Sequence, residues 1–344
     1  MHAFRLTRQG APLTLEDVPV PAPGPGELLV ELEACGVCHT DLHIRQGDEA
    51  LPDDQLPLTL GHEGIGRIAR LGEGVTAWSV GDRAGVPWLH DTCLACRDCL
   101  SGHEAICASQ RAHGLQVDGA FAEYVIVRQD FAVAIPAGLD PVTAAPLLCA
   151  GVTAYGAVRR ARLEPGQTCV VFGCGGLGQY GVQFARLHGA RVVAVDTDPV
   201  RLEEARSLGA EECMISDADT GAKLRELGGA DACINFAPTA TIWPAVEAGL
   251  RNRGRFVSVA MPSEPVELSL SWLTHGTPVI TGSSVGGRLD LEETLALAAR
   301  HGVRVPVESI PLAGVNDALD RLAGRRPEAP VRGRLVVDFA RTAA

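Results

Sequence analysis

The sequence predicts a two-domain α/β protein: a β-rich half, then a doubly wound parallel sheet. Three observations lead there. From Met1 to about Leu148 the pattern is short strands and turns; near residue 150 it changes to strands alternating with helical stretches; and Gly173-Cys174-Gly175-Gly176-Leu177-Gly178 stands between a strand and a helix. At 344 residues with 46% hydrophobic content, two sizeable cores are within reach. The net charge of −12 argues against nucleic acid or an anionic membrane as partner and leaves small molecules. Met1-His2-Ala3-Phe4-Arg5-Leu6-Thr7 shows no basic stretch leading into an apolar one, and no apolar run reaches the roughly 18 residues of a membrane span, so the reading is a soluble, cytoplasmic protein. Eleven cysteines in such a chain read as metal ligands or reduced core thiols.

In the first half, residues 19–25 alternate proline with small residues and read as an irregular connection. Residues 27–32 alternate imperfectly, as a strand buried on much of both faces would. Cys35-Gly36-Val37-Cys38-His39-Thr40-Asp41-Leu42-His43 follows, then Gly61-His62-Glu63-Gly64. A thiolate at Cys38 and a neutral imidazole at His62 are ligand types zinc prefers. A catalytic zinc takes three protein ligands and keeps its fourth position for substrate, which makes Cys149, in Leu147-Leu148-Cys149-Ala150-Gly151, the candidate third. The bland alternative is a buried thiol and a core histidine. Farther along, Cys93, Cys96, Cys99 and Cys107 are spaced C-x-x-C-x-x-C and then seven residues. Four thiols so close can enclose one tetrahedral zinc completely, which makes the site structural. Iron-sulfur runs also repeat C-x-x-C, but the last interval is too long for that pattern and no proline follows Cys107.

The second half opens with a buried-type strand, Gln167-Thr168-Cys169-Val170-Val171-Phe172, and runs at once into the glycine turn. Leu177, Tyr180, Gly181, Phe184 and Ala185 recur at helical spacing until Gly189, and the strand Val192-Val193-Ala194-Val195 closes on Asp196. Strand, G-x-G-x-x-G turn, helix and a terminal carboxylate form a dinucleotide fingerprint. Gly173, Gly175, Gly176, Leu177 and Gly178 bring backbone and helix N-terminus to the pyrophosphate, and Asp196 accepts from ribose hydroxyls. Asp196 repels a 2′-phosphate, so NAD(H) is expected over NADP(H), with Arg201 at the ribose edge. The alternation continues with a helix over 200–208, strands at 232–236, 256–259 and 278–281, and a helix over 291–301. The strand at 334–339 returns to the first domain, because a nucleotide unit needs only about six strands.

Together these motifs resemble the zinc-containing medium-chain alcohol dehydrogenases, most closely the shorter microbial and yeast-type branch. The carriers are the segment 35–43, Gly61-His62-Glu63 with Gly66 and Gly72, Gly85-Val86-Pro87-Trp88, the four-cysteine lobe, Leu147-Leu148-Cys149-Ala150-Gly151-Val152-Thr153 and the glycine turn. The likeness covers nearly the whole chain. It implies a GroES-like, β-rich catalytic domain (1–150 and 286–344, with the structural zinc lobe at about 90–110), split around a Rossmann domain (151–285), with the active site in the cleft between them. By that likeness Cys38, His62 and Cys149 hold a catalytic zinc, and Glu63 is a mobile carboxylate near the metal. Asp41 orients His62, unless it merely caps the following turn. Thr40 bonds the oxygen on the zinc, and His43 passes the proton out through the nicotinamide ribose. His39 and Arg334 are implied near the pyrophosphate, or are plain surface charges; Thr153 lies beside the nicotinamide and Trp88 walls the substrate pocket.

The implied activity is reversible oxidation of mainly primary alcohols to aldehydes or ketones, with two Zn²⁺ per chain and NAD(H), in a homotetramer. The runner-up is an NAD(H)-dependent zinc enzyme for longer, aromatic or polyol-type substrates. The branch often carries Gly-Asp-Trp after the histidine, where this chain has Gly47-Asp48-Glu49-Ala50-Leu51-Pro52. A non-enzymatic zinc module sensing NAD(H) is a third class, to be separated by zinc stoichiometry. Cys174, inside the glycine turn, reads as a small filler or as an oxidation-sensitive thiol.

Overall fold

The strand Glu27–Val37 is the spine of the first unit: eleven residues paired antiparallel with Gly64–Leu71, Tyr124–Arg128 and Arg334–Asp338. The computed structural model describes residues 1–341. The chain divides into two compact units, residues 1–152 with 286–344, and residues 153–285. In the first unit the imperfect alternation at 27–32 has a simple cause. Leu28, Leu29 and Val30 are all buried, so both faces of the strand are covered, and the pairing runs on to Val37. The sheet is seven-stranded, and Val307–Ile310 extends it in parallel beside Arg334–Asp338. Leu6, Leu28, Val30, Ile44, Leu60, Ile68, Phe121 and Val337 fill its core; fully burying such side chains stabilises by roughly 1.5–3 kcal/mol each. The spine's carboxyl end delivers Cys38, still extended, as N-cap of the helix His39–Gln46.

The second unit is a six-stranded parallel sheet. Across the sheet the strands run Glu212–Ile215, Arg191–Asp196, Thr168–Phe172, Ala230–Asn235, Leu250–Ser258 and Val279–Gly282. Numbered within the unit, that order is 3-2-1-4-5-6, reversing beside Thr168–Phe172. Ligands of such sheets bind outside the strands' carboxyl ends at that reversal. Val170, Val171, Phe172, Val192 and Val193 are fully buried, as continuous apolar strands covered on both faces must be. Three details differ from the sequence expectation. The strand expected at 256–259 begins at Leu250, the helix expected at 291 begins at Arg288, and Glu212–Ile215, whose mixed Glu-Cys-Met-Ile text carries no strand signal, is an edge strand. Among the described residues no single helix is long and apolar enough to cross a membrane. One bent pair, Pro141–Leu148 with Ala150–Ala161, passes by length and composition, and residues 144–148 of it are buried core.

Candidate active site

Cys38, His62, Glu63 and Cys149 converge in the first unit, their donor atoms within 4.8 Å of one another. Asp41 organises them. It is fully buried; its Oδ2 accepts the Cys38 backbone N–H at 2.9 Å, closing the first helical turn, while Oδ1 accepts the Gly61 N–H at 3.1 Å and faces His62 Nδ1 at 3.1 Å. The capping role and the orienting role weighed for Asp41 are thus both filled, by different oxygens. With Nδ1–H donated to Asp41, the free lone pair of His62 is on Nε2. That atom is buried and has no hydrogen-bond partner, and neither has Glu63 Oε2. An unpartnered buried acceptor is costly, which a metal at Nε2 relieves.

The two sulfurs suit the same ion. Cys38 Sγ lies 4.0 Å from Cys149 Sγ, against an edge of about 3.8 Å in a tetrahedron with Zn–S near 2.3 Å. The hydrogen bond from Cys149, helped by His62, holds the Cys38 thiol well below its usual range, while the same bond and burial push Cys149 up. Cys149 follows the tight turn Ala145–Leu148 and precedes the helix Ala150–Ala161.

Around this cluster, Glu63 is ion-paired with Arg334, both buried. Burial pushes the Glu63 carboxyl up to about 7 against the opposing charge of Arg334. Arg334, on the strand that pairs with the spine, reaches Glu63 through Nη2, while its buried Nε has no hydrogen-bond partner. The Trp88 ring meets the His62 ring edge-on at 5.0 Å between centroids. Thr40 Oγ1 is 3.7 Å from Cys38 Sγ. His43 and His39 are on the same helix; His43 is half exposed, with Nδ1 2.6 Å from Asp48 Oδ2, and Asp48 N–H also donates to the His43 carbonyl at 3.0 Å. Sequence reasoning did not single out that aspartate as a partner. It also missed the support beneath Trp88. His113 donates its backbone N–H to the Trp88 carbonyl at 2.9 Å, its Nδ1 lies 2.7 Å from the Pro87 carbonyl, and its Nε2 is 3.1 Å from His90 Nδ1. Burial lowers both rings, His113 to about 3. No motif spacing marks such a pair.

The four-thiol lobe closes as its spacing suggests. Its sulfurs are 3.5 to 3.9 Å apart along Cys96–Cys99, Cys107–Cys93, Cys93–Cys99 and Cys96–Cys107, too far for disulfides and close to the tetrahedral edge. The backbone N–H groups of Ala95 and Cys96 bring the Cys93 thiol down to about 6. These donors fit an enclosed zinc.

In the second unit the glycine turn follows Phe172. Gly173 is left-handed, at φ +83°, and any side chain on Gly178 would collide with the Gly173 carbonyl. Gly175 has open space around it, with only Arg201 Nη1 at the 4 Å limit, so backbone is exposed where a pyrophosphate would lie. Leu177 precedes the helix Gly178–Leu187, and Gly176 completes the turn. Asp196 is 5% exposed and held from two sides, Oδ2 by the Cys174 N–H at 2.6 Å and Oδ1 by the Asp198 N–H at 2.9 Å. Arg201 lies 3.9 Å from Asp198, and Thr153 is buried in the helix Ala150–Ala161. Burial, then Asp196, drives the Cys174 thiol far above its usual value, which favours the filler over the reactive thiol.

A metal-binding, dinucleotide-binding α/β architecture is what this fold and these donor sets define. Residues 24–137 match the alcohol dehydrogenase GroES-like domain and residues 176–300 the zinc-binding dehydrogenase domain. An alcohol dehydrogenase of Moraxella sp. (strain TAE123) is 39% identical over 98% of this chain and 99% of its own length; one of Geobacillus stearothermophilus is 40% identical over 95% and 96%. The structure of a cinnamyl alcohol dehydrogenase from Sorghum bicolor superposes with a TM-score of 0.88 at 32% identity, covering 99% of this chain and 98% of that one. The chain belongs to the zinc-containing medium-chain alcohol dehydrogenases. Zinc and a nicotinamide nucleotide are the groups that go with that membership.

Proposed function

We propose that the chain reversibly oxidises primary alcohols to aldehydes, with NAD(H) as hydride carrier and two zinc ions per chain. The observation that carries this reading is the His62 Nε2 atom, buried and without a hydrogen-bond partner, next to the Cys38 and Cys149 sulfurs. Cys38, His62 and Cys149 hold one ion with a position open to substrate; Cys93, Cys96, Cys99 and Cys107 enclose the other. When bound, zinc supplies Lewis-acid polarisation of the substrate oxygen and the nicotinamide supplies the hydride acceptor or donor. The remaining work falls to side chains. Asp41 fixes the tautomer and plane of His62. The Thr40 hydroxyl takes the substrate proton, and His43, three residues along the same helix face, conveys it to solvent while Asp48 engages Nδ1 and leaves Nε2 free for transfer. Such transfers contribute on the order of 10²–10⁴-fold. Trp88 walls the pocket beside His62.

On the nucleotide side, the backbone from Gly173 to Gly178 and the helix N-terminus take the pyrophosphate, His39 adds charge there when protonated, and Thr153 lies by the nicotinamide. Asp196 takes the ribose hydroxyls, and its charge excludes a 2′-phosphate; Arg201, leaning on Asp198, is not free to reverse that. Titrating the protein with NAD⁺ and NADP⁺ tests the preference: binding of NAD⁺ at least about tenfold tighter is expected, and equal or tighter binding of NADP⁺ would reject it. Elemental analysis should find two zincs per chain, and a count of one rejects the three-donor centre.

A second reading, oxidation or reduction of longer, aromatic or polyol-type substrates, is favoured by residues 46–50, all exposed, with Glu49 where the family's branch often has tryptophan. The likeness to the sorghum cinnamyl enzyme points the same way. A panel of primary, secondary and aromatic alcohols compared by kcat/KM separates the two. The homotetramer implied by the family fits the exposed edge strand Val279–Gly282.

A further inference from the structure

Glu104 has no part in the chemistry above, yet it is a carboxylate only 4% exposed. It stands between the lobe ligands Cys99 and Cys107, in the short turn Glu104–Ile106, and its carbonyl accepts the Cys107 N–H at 3.0 Å. Its carboxylate is taken up by Arg288. Oε2 accepts the backbone N–H of Arg288 at 2.9 Å, and Oε1 takes the same residue's Nε at 2.7 Å and Nη2 at 2.5 Å. Arg288 begins the helix Arg288–His301, whose own N-cap, Gly287, has no side chain to offer. A lobe carboxylate therefore caps a helix 184 residues away and neutralises its first side chain. The guanidinium is held further by the Phe131 ring at 5.0 Å and the Asp130 carbonyl at 3.1 Å. Removing the Arg288 side chain strands the buried Glu104 carboxylate, whereas Arg288 itself is part-exposed.

The start of that helix has a close neighbour. Gly286 is so near Val152 that a Cβ on it would come to 2.5 Å from Val152 Cγ2, and a Cβ on Gly287 would meet Glu104 Oε2 at 3.1 Å and the Gly102 carbonyl at 3.2 Å. The helix also packs on the turn Ala145–Leu148. That turn and Val152 bracket Cys149. We propose that Glu104 is a positioning residue for Cys149: by anchoring Arg288 it fixes Gly286 and Gly287, the backing on which the Cys149 segment rests, and so couples the four-thiol lobe to the three-donor centre. The metal consequence rests on Cys149 being a ligand; the mechanical coupling does not.

The test uses the full metal-loaded chain and the mild variants Glu104→Gln, which keeps an acceptor, and Arg288→Met, with Arg325→Ala, a surface pair to Asp320, as control. Hydrogen exchange is followed in peptides 93–107, 145–152 and 286–295, and zinc release to a chromogenic chelator is timed. The expected result is faster exchange in 145–152 and 286–295 for Glu104→Gln and Arg288→Met, with one zinc equivalent released about tenfold faster. The double variant should be no worse than either single one, and the control should match wild type. Faster exchange in 286–295 alone, with 145–152 and zinc release unchanged, overturns the proposal and leaves Glu104 as a helix cap. Faster exchange confined to 93–107 with release of one equivalent overturns it as well, since the lobe alone then depends on Glu104. A wild type holding one zinc rejects the functional reading instead, and peptide 145–152 then decides the coupling by itself.

Discussion

Single side chains here carry two duties at once, and the second is usually the one the sequence hides. Asp41 satisfies a helix N-terminus with one oxygen and faces the His62 imidazole with the other. His113 fixes the carbonyls of Pro87 and Trp88, and burial takes its ring from an ordinary value near 6.5 to about 3. The sign of the consequence is definite. As pH falls, the unfolded chain takes up that proton first, so stability is lost from about pH 6.5 downward, by at most about 4–5 kcal/mol when pH 3 is reached. In His113→Asn, whose amide can still donate to Pro87, the urea midpoint should fall less steeply between pH 7 and 4 than in wild type. Equal slopes in the two proteins would show that His113 does not hold this proton linkage. Cys38, His62 and the four lobe cysteines were legible because their spacing is itself the chemistry. His113 and the Glu104–Arg288 pair were not, because their partners are set by tertiary approach across as many as 184 residues; Asp48 meets His43 only through the turn that ends their helix.

At the scale of elements, the glycine turn was the most legible feature, since strand, turn, helix and acidic terminus each leave a local trace. Its glycines are nonetheless unequal. A methyl on Gly175 enters open space at an ordinary backbone conformation, whereas one on Gly178 strikes the Gly173 carbonyl. Gly175→Ala should therefore melt within about 2 °C of wild type, a shift worth under roughly 1 kcal/mol, while binding NAD⁺ at least about tenfold more weakly. Gly178→Ala should lose on the order of 2 kcal/mol of stability, as backbone strain of this kind does. Thermal melts paired with nucleotide titrations check both, and equal melting of the two variants would refute the distinction. Two strands of this sheet were harder to read. Glu212–Ile215 is short and half-covered, and the early start of Leu250–Ser258 crosses a left-handed Arg253 that no hydrophobic pattern announces.

Over the whole molecule, the second unit's sheet ends in a strand with open hydrogen-bonding groups and apolar side chains, Val279 at 38% and Ile280 at 41% exposure. Such an edge invites pairing with another copy, and a lysine there discourages it. Ile280→Lys should shift the species seen by light scattering from tetramer to a smaller form with the melting of each chain little changed; a wild type that is already monomeric would dispose of the tetramer. In the first unit the end of the spine that leads into Cys38 is covered by a paired strand. Leu335, Val336 and Val337 lie opposite Val37, Gly36 and Cys35, and the neighbouring Arg334 reaches Glu63. A ribosome must therefore have delivered nearly all of these residues before the wall around Cys38 and His62 exists. Until the strand Arg334–Asp338 is made and paired, the end of the spine that leads into Cys38 lacks one of its two neighbours.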